Sequence, residues 1–189
     1  MQIDQQLSRC MVITNYRTGS TCFTEKNSRV NKLYNMYEFI NDAPNLQVVE
    51  NTLKKCTRFV FKVMPDQIDY NADIIKRLKV YCNEIIYLYR KDYKQQVKSW
   101  IAWNESGNHD HHYGNAYTPY NIDVSQTHAN KYADTIYKNN QALKEFYNLY
   151  PGSVYAYEDI HDNNPYTRQY NWKTIPSIKN YNTKEMFNG

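Results

Sequence analysis

Apolar runs typical of strands alternate with helical segments along this 189-residue chain, and the alternation limits the fold more than any other feature. Three runs predict strands: Cys10–Thr14, Thr57–Val63 and Glu84–Tyr89. A further strand is expected over Ser153–Tyr157. Because strands that alternate with helices form parallel sheets with helices on their faces, we expect an α/β fold. The length predicts a single three-layer domain, 1–189, whose central, mainly parallel sheet is flanked by helices.

Helices are predicted between these strands from the spacing of apolar residues and from capping residues. One begins near Ser20, and the others cover Asn45–Lys55, Ile74–Tyr81, Asp92 to Trp103, and Ser125–Tyr150. Residues Asn31–Ile40 fit either a helix or a turn. The segment Asn104–Asn121 is predicted to be a polar loop, and the chain from Asn163 onward a tail that covers the site or the sheet edge.

Composition narrows the class of protein. The formal net charge of +4 at pH 7 suits an anionic ligand but is too small to require nucleic acid, so no nucleic-acid partner is expected. No run of 18 apolar residues occurs and the first residues are polar, so neither a membrane span nor a signal peptide is predicted. The 4 cysteines show no Cys-x-x-Cys pairing, which favours reduced thiols in the cytoplasm. No interface signature predicts an oligomeric state.

The turn between the first strand and the first helix has the residue types of an anion-binding loop. It contains Arg17, Thr18, Gly19, Ser20 and Thr21. A helix N-terminus presents unpaired N–H groups and a partial positive charge. Gly19 lets the backbone approach a ligand closely, the hydroxyls add donors, and Arg17 adds a fixed charge. We therefore expect this loop to bind a phosphate or a sulfate group.

Two common phosphate loops do not fit this turn. A Walker A loop has a Lys directly after its second Gly, and no Lys follows Gly19. A cysteine-phosphatase loop has five residues between its Cys and its Arg, whereas six residues separate Cys10 from Arg17. The loop therefore belongs to neither class.

A second anion site is predicted where the strand Glu84–Tyr89 meets the next helix. Arg90 and Lys91 leave the sheet at its carboxyl edge, which is where open α/β sheets bind ligands. Ser99 follows about two turns along the helix. A strand-end cation and this hydroxyl together could hold one phosphate.

These segments resemble the sulfotransferase family. The loop Arg17–Thr21 is similar to the family's 5′-phosphosulfate loop. Arg90 and Ser99 are similar to its 3′-phosphate site, in the form found in the bacterial trehalose-type branch. Phe61–Met64 looks like a strand of that branch, and Val154–Ile160 looks like the Tyr-Glu-Asp-Leu strand end of the superfamily. The four segments occur in the family's order along most of the chain.

The resemblance implies a P-loop-like sulfotransferase fold. It also implies transfer of a sulfuryl group from 3′-phosphoadenosine 5′-phosphosulfate (PAPS) to a hydroxyl of a small-molecule or carbohydrate acceptor, with no catalytic metal. The implied cofactor-binding residues are Arg17, Thr18, Gly19, Ser20, Thr21, Cys22, Arg90, Lys91 and Ser99. The family Arg stands eight or nine residues before the Ser, so Arg90 and Lys91 are both candidates for the 3′-phosphate. The basic residues that could close over the cofactor from the C-terminal region are Lys173, Lys179 and Lys184.

The resemblance also implies an acidic general base about twenty positions after the loop arginine. Glu38 has this place and the family's sequence context, and Glu25 is the competing candidate. Lys62 lies in the middle of a predicted strand, so it needs an ionic partner or a strand-end position. A role for Lys62 near the sulfuryl group is the other interpretation. The catalytic candidates are Glu38, Arg17 and Lys62.

The histidines and aromatic residues in and near the polar loop have more than one possible role. His109, His111 and His112 are close in sequence, but no further ligand set accompanies them, so no metal site is predicted. An exposed or acceptor-binding loop is favoured instead. The aromatic residues that could stack on an acceptor or simply pack are Trp100, Trp103, Tyr113 and Tyr117.

A different class of function remains open. A non-catalytic nucleotide-binding or interaction protein could use the same scaffold, because a fold does not determine a function. The short chain and the missing C-terminal cofactor loop support that alternative. The compact size and the bias toward Asn, Lys, Tyr and Ile favour a viral protein, for which the expected location is the host cytoplasm.

Overall fold

The computed structural model describes residues 7–105, 120–160, 170–172 and 177–178. The strands in these residues are β1 (Arg9–Thr14), β2 (Tyr34–Asn35), β3 (Phe59–Val63), β4 (Glu84–Tyr89), β5 (Tyr120–Ile122), β6 (Ser153–Ala156) and β7 (Tyr170–Trp172). Five of them form one sheet in the order β2-β3-β1-β4-β6, and every neighbouring pair in it is parallel. Strands β5 and β7 form a separate parallel pair. The predicted α/β class with a parallel sheet is confirmed.

Several of the helices begin where the sequence supplies a capping side chain. They are α1 (Ser20–Asn31), α2 (Phe39–Asp42), α3 (Leu46–Lys55), α4 (Ala72–Lys79), α5 (Tyr93–Glu105), α6 (Gln126–Leu149) and α7 (Tyr157–Ile160), with a short 3-10 helix at Pro65–Ile68. The side chain of Asn45 accepts the N–H of Val48, and Ser125 accepts that of His128. These bonds satisfy backbone donors that a helix N-terminus leaves unpaired. None of the helices in the described part of the chain is both long and apolar enough to cross a membrane.

Several segments differ from the sequence-based expectation, two of them in regions predicted to lack strands. Within Asn31–Ile40, Tyr34–Asn35 form an edge strand rather than a helix or turn. A two-residue strand with an exposed Tyr34 carries no periodic pattern, so the sequence could not reveal it. The predicted polar loop Asn104–Asn121 overlaps regular structure at both ends, because Asn104 lies within α5 and Asn121 lies within β5. Residues 106–119 lie outside the described residues.

Successive residues of the central strands pack on opposite faces of the sheet, as the strand period requires. Met11 and Ile13 face a cluster that includes side chains of α3, α4 and α6. Cys10 and Val12 face a second cluster that includes Phe23 of α1. Helices therefore cover both faces of the buried central strand β1.

The strand order identifies where a ligand can bind. After β1 the chain crosses to β2, which is one edge strand of the sheet. After β4 it crosses to β6, which is the edge strand at the opposite end of the strand order. The connections that follow β1 and β4 therefore leave in opposite directions, which makes the carboxyl ends of these two strands a topological switch point. Open α/β sheets bind ligands at such a switch point.

Candidate functional site

The loop after β1 opens a helix whose positive end carries no side-chain cap. Gly19 is the N-cap of α1 and has a left-handed backbone, φ 70° and ψ 16°. Glycine adopts this conformation at little cost, which explains its place here. No side chain caps the helix and its first turn contains no acidic residue. The partial positive charge at this end is thus available to an anion.

Arg17 joins this loop to α5. Its Nε donates a hydrogen bond to Ser99 Oγ at 2.9 Å, and its guanidinium lies 5.1 Å from the centroid of the Trp103 ring. Ser99 and Trp103 are four residues apart and therefore share one face of α5. The structure thus brings together two predicted ligands that are 82 residues apart in sequence. In the structure the Ser99 hydroxyl therefore contacts the side chain of the loop arginine.

Arg90 approaches the same loop from β4. Its Nη1 donates to the carbonyl oxygen of Arg17 at 3.4 Å, and its guanidinium lies 4.7 Å from the centroid of the Tyr157 ring. The carboxylate of Glu158 is 3.8 Å from Arg90 Nε. The side chain is 18% exposed, so Arg90 is a mostly buried cation beside the loop.

The side chain of Lys91 pairs with α7 instead of with the loop after β1. Its Nζ lies 2.5 Å from Asp159 Oδ1, with both side chains about half exposed, and this hydrogen bond raises the pKa of Lys91. The backbone N–H of Lys91 donates to Glu158 Oε2 at 2.9 Å, and that of Asp92 donates to Oε1 at 3.1 Å. The Tyr-Glu-Asp-Ile segment therefore anchors the start of α5. Of the two candidate cations, Arg90 is the one that contacts the loop.

Lys62 and Glu38 lie on the β3 side of the loop. Lys62 Nζ donates to Thr21 Oγ1 at 2.9 Å and pairs with Glu38 Oε1 at 2.9 Å. The second oxygen of Glu38 accepts a hydrogen bond from Gln67 Nε2 at 2.9 Å. The Lys62 side chain is only 4% exposed, so this pair supplies the partner that a buried ammonium requires.

The remaining loop residues have different environments. Thr18 is fully buried, and its hydroxyl bonds to the Thr14 hydroxyl and to the carbonyl of Asn15, so its side chain supports the loop. Cys22 is half-buried; burial and the nearby Glu25 raise the pKa of its thiol, which keeps it protonated.

A network of buried amides fixes the loop, and sequence analysis missed it. Its members are Asn15, Gln96, Asn139 and Asn140. Asn15 Oδ1 accepts the N–H of Tyr16 at 2.7 Å, and Gln96 Nε2 donates to the Tyr16 carbonyl at 2.7 Å. Asn15 Nδ2 donates to Asn140 Oδ1 at 2.7 Å. The sequence did contain an indication of this network, because two asparagines, Asn139 and Asn140, interrupt the apolar face of α6.

A second missed group is the pair of Tyr16 and Asp66. The Tyr16 hydroxyl donates to Asp66 Oδ2 at 2.6 Å, and its ring stacks on Trp100 with centroids 3.9 Å apart. Asp66 Oδ1 is buried and has no hydrogen-bond partner in the part of the chain that the structure describes. The sequence shows only an Asp after a Met-Pro pair, which is typical of a turn.

Several predicted residues lie outside the described residues. They are His109, His111, His112, Tyr113, Tyr117, Lys173, Lys179 and Lys184. Within the described ranges, no cluster of three or more His, Cys, Asp or Glu side chains could hold a metal ion.

No protein-family model matches this chain, and no curated protein matches it. A functional proposal therefore rests on the chemistry of the site, because the α/β fold alone serves many functions.

Proposed function

We propose that this protein is a cytoplasmic sulfotransferase with a P-loop-like sulfotransferase fold. It moves a sulfuryl group from PAPS to a hydroxyl of a small-molecule or carbohydrate acceptor. One observation carries the proposal: cations from three adjacent strands meet at one glycine-capped loop. Arg17 follows β1, Lys62 belongs to β3 and contacts Thr21, and Arg90 follows β4 and contacts the backbone of Arg17.

The cations suit the anionic groups of PAPS. Arg17, the N–H groups after Gly19 and the hydroxyl of Thr21 bind the 5′-phosphosulfate. Arg90, with Ser99, binds the 3′-phosphate. Arg90 is the better ligand of the two strand-end cations because its guanidinium contacts the loop, whereas Lys91 pairs with Asp159 at the surface.

The transfer itself needs positioning and charge stabilisation. The acceptor oxygen attacks sulfur in line with the bond from sulfur to the 5′-phosphate oxygen, through a loose transition state like that of phosphoryl transfer. Negative charge then develops on the leaving phosphate. Arg17, Lys62 and the N-terminus of α1 stabilise that charge. In this mechanism Glu38, beside Lys62, is the base that the family resemblance implies.

The alternative is a non-catalytic nucleotide-binding protein on the same scaffold. One observation favours it: both carboxylate oxygens of Glu38 are already bonded, one to Lys62 and one to Gln67. A carboxylate engaged in this way can serve the structure alone.

An activity assay distinguishes the sulfotransferase from the non-catalytic nucleotide-binding protein. The protein is incubated with PAPS and pools of mono- and disaccharides or phenols, and release of 3′-phosphoadenosine 5′-phosphate (PAP) is followed by chromatography. We expect acceptor-dependent release, and we expect Arg17→Ala to lower kcat by roughly 100-fold, the usual effect of removing a transition-state donor. The control is Arg29→Ala, at the exposed far end of α1. Binding of PAP without any turnover of PAPS would support the non-catalytic alternative.

A further inference from the structure

Sulfuryl transfer requires an atom that accepts the proton of the acceptor hydroxyl. Glu38 Oε1 already binds the ammonium of Lys62, and Oε2 already binds the amide of Gln67. Both oxygens therefore face protein donors. A group with an unused oxygen at the same edge of the sheet is a better proton acceptor.

Asp66 is such a group. It lies in the 3-10 helix Pro65–Ile68 directly after β3, so it stands at the carboxyl edge beside β1 and its loop. Its neighbour Gln67 fixes this turn, because Gln67 Oε1 accepts the N–H of Met64 at 3.0 Å while Nε2 holds Glu38. Gln67 thus connects the turn that carries Asp66 to Glu38, the partner of Lys62.

The two oxygens of Asp66 have different environments. Oδ2 accepts a hydrogen bond from the Tyr16 hydroxyl at 2.6 Å, whereas Oδ1 is buried and lacks a hydrogen-bond partner among the described residues. A buried carboxylate oxygen without a partner costs free energy, so native structures keep few of them, and a catalytic role is one of the recognised reasons. Burial and the bond to Asp66 raise the pKa of Tyr16, so Tyr16 remains the donor in this pair.

Tyr16 is itself held in place. Its backbone N–H and carbonyl are bonded to the buried amides of Asn15 and Gln96, and its ring stacks on Trp100. The next residue in the chain is Arg17. One short stretch therefore places the cation at the sulfuryl donor and the hydroxyl that orients Asp66.

We propose that Asp66 is the general base of the transfer and that Tyr16 is its positioning residue; this inference rests on the proposed function. The acceptor oxygen forms a bond to sulfur while its proton passes to Asp66 Oδ1. The bond between sulfur and the 5′-phosphate oxygen breaks, and its electron pair stays on the phosphate of PAP. Glu38 then holds Lys62 against Thr21 rather than accepting the proton.

The test compares Asp66→Asn with Glu38→Gln. Asparagine has the shape of aspartate, and its amide oxygen still accepts the Tyr16 hydroxyl, but it is not a base. We expect Asp66→Asn to lower kcat for PAPS turnover, measured with sugar acceptors and with water, by about 10²- to 10⁴-fold. PAP affinity, measured by calorimetry, should stay within about threefold of wild type, well under 1.4 kcal/mol. Tyr16→Phe should give a smaller loss of kcat at unchanged PAP affinity.

The matched control is Asp69→Asn, which removes the same charge from an exposed residue at the end of the same 3-10 helix. Its left-handed backbone suits asparagine, so wild-type turnover is expected. Wild-type kcat in Asp66→Asn, or a large loss only in Glu38→Gln, would overturn the assignment. So would a protein that binds PAP but turns over no PAPS. A protein that binds no PAP would instead contradict the sulfotransferase proposal itself.

Discussion

Replacing Arg90 by alanine is expected to weaken PAP binding by about 10- to 100-fold, because hydrogen bonds to a charged group contribute about 1.5–3 kcal/mol. The guanidinium is mostly buried between the Tyr157 ring, Glu158 and the loop backbone, so it is already ordered before a ligand binds. An ordered cation loses little entropy when it binds phosphate. Calorimetric titration of both proteins with PAP measures the difference.

Two comparisons make this prediction specific for the 3′-phosphate. Adenosine 5′-phosphosulfate lacks that group, so its affinity should change little in the Arg90 variant. Lys91→Ala removes a neighbouring cation that is tied to Asp159 at the surface, and it should leave PAP binding nearly unchanged. Equal losses in the two variants would mean that the effect is only one of net charge.

Replacing Asn15 by alanine is expected to lower the free energy of unfolding by about 3–5 kcal/mol, since each buried polar group left unpaired costs about 1–3 kcal/mol. The substitution removes the partner of the Tyr16 N–H, of Asn140 Oδ1 and of Asn139 Nδ2. The side-chain amides of Asn15, Asn139 and Asn140 are at most 1% exposed, so solvent cannot replace the bonds that these groups lose.

Urea denaturation followed by circular dichroism measures this change. The control is Asn51→Ala, because Asn51 is exposed and its amide only accepts a bond from Gln47 at 3.1 Å. That control should change the free energy of unfolding by less than about 0.5 kcal/mol. If Asn15→Ala were no more costly than its control, the buried amide network would not be what holds the loop.

The sheet and most helices could be predicted because their signals are local. The strand Glu84–Tyr89 has the predicted bounds, and the helix predicted over Asn45–Lys55 is α3, with Asn45 as its cap. The strand expected over Ser153–Tyr157 is β6, but Tyr157 begins α7. The two-residue β2 could not be predicted, because it forms only by pairing with β3.

The site was predictable in its residue types but not in its contacts. Glycine, hydroxyls and an arginine beside a helix start predict an anion loop from sequence alone. The bond from Arg17 to Ser99 depends on the packing of α5 against α6 and Tyr16, which no local pattern encodes. The bond from Tyr16 to Asp66 joins residues 50 apart, so the unpartnered oxygen of Asp66 emerges only from the folded chain.

Calorimetric titration of the wild-type protein with PAP, beside adenosine 5′-monophosphate, tests most directly whether this loop is a PAPS site. Because the site offers cations to both the 3′ and the 5′ groups, we predict a dissociation constant near micromolar for PAP, about −8 kcal/mol. The monophosphate, which lacks the 3′-phosphate, should bind at least about tenfold more weakly, a difference of 1.4 kcal/mol. No binding of PAP, or equal affinity for the two nucleotides, would contradict the proposed function.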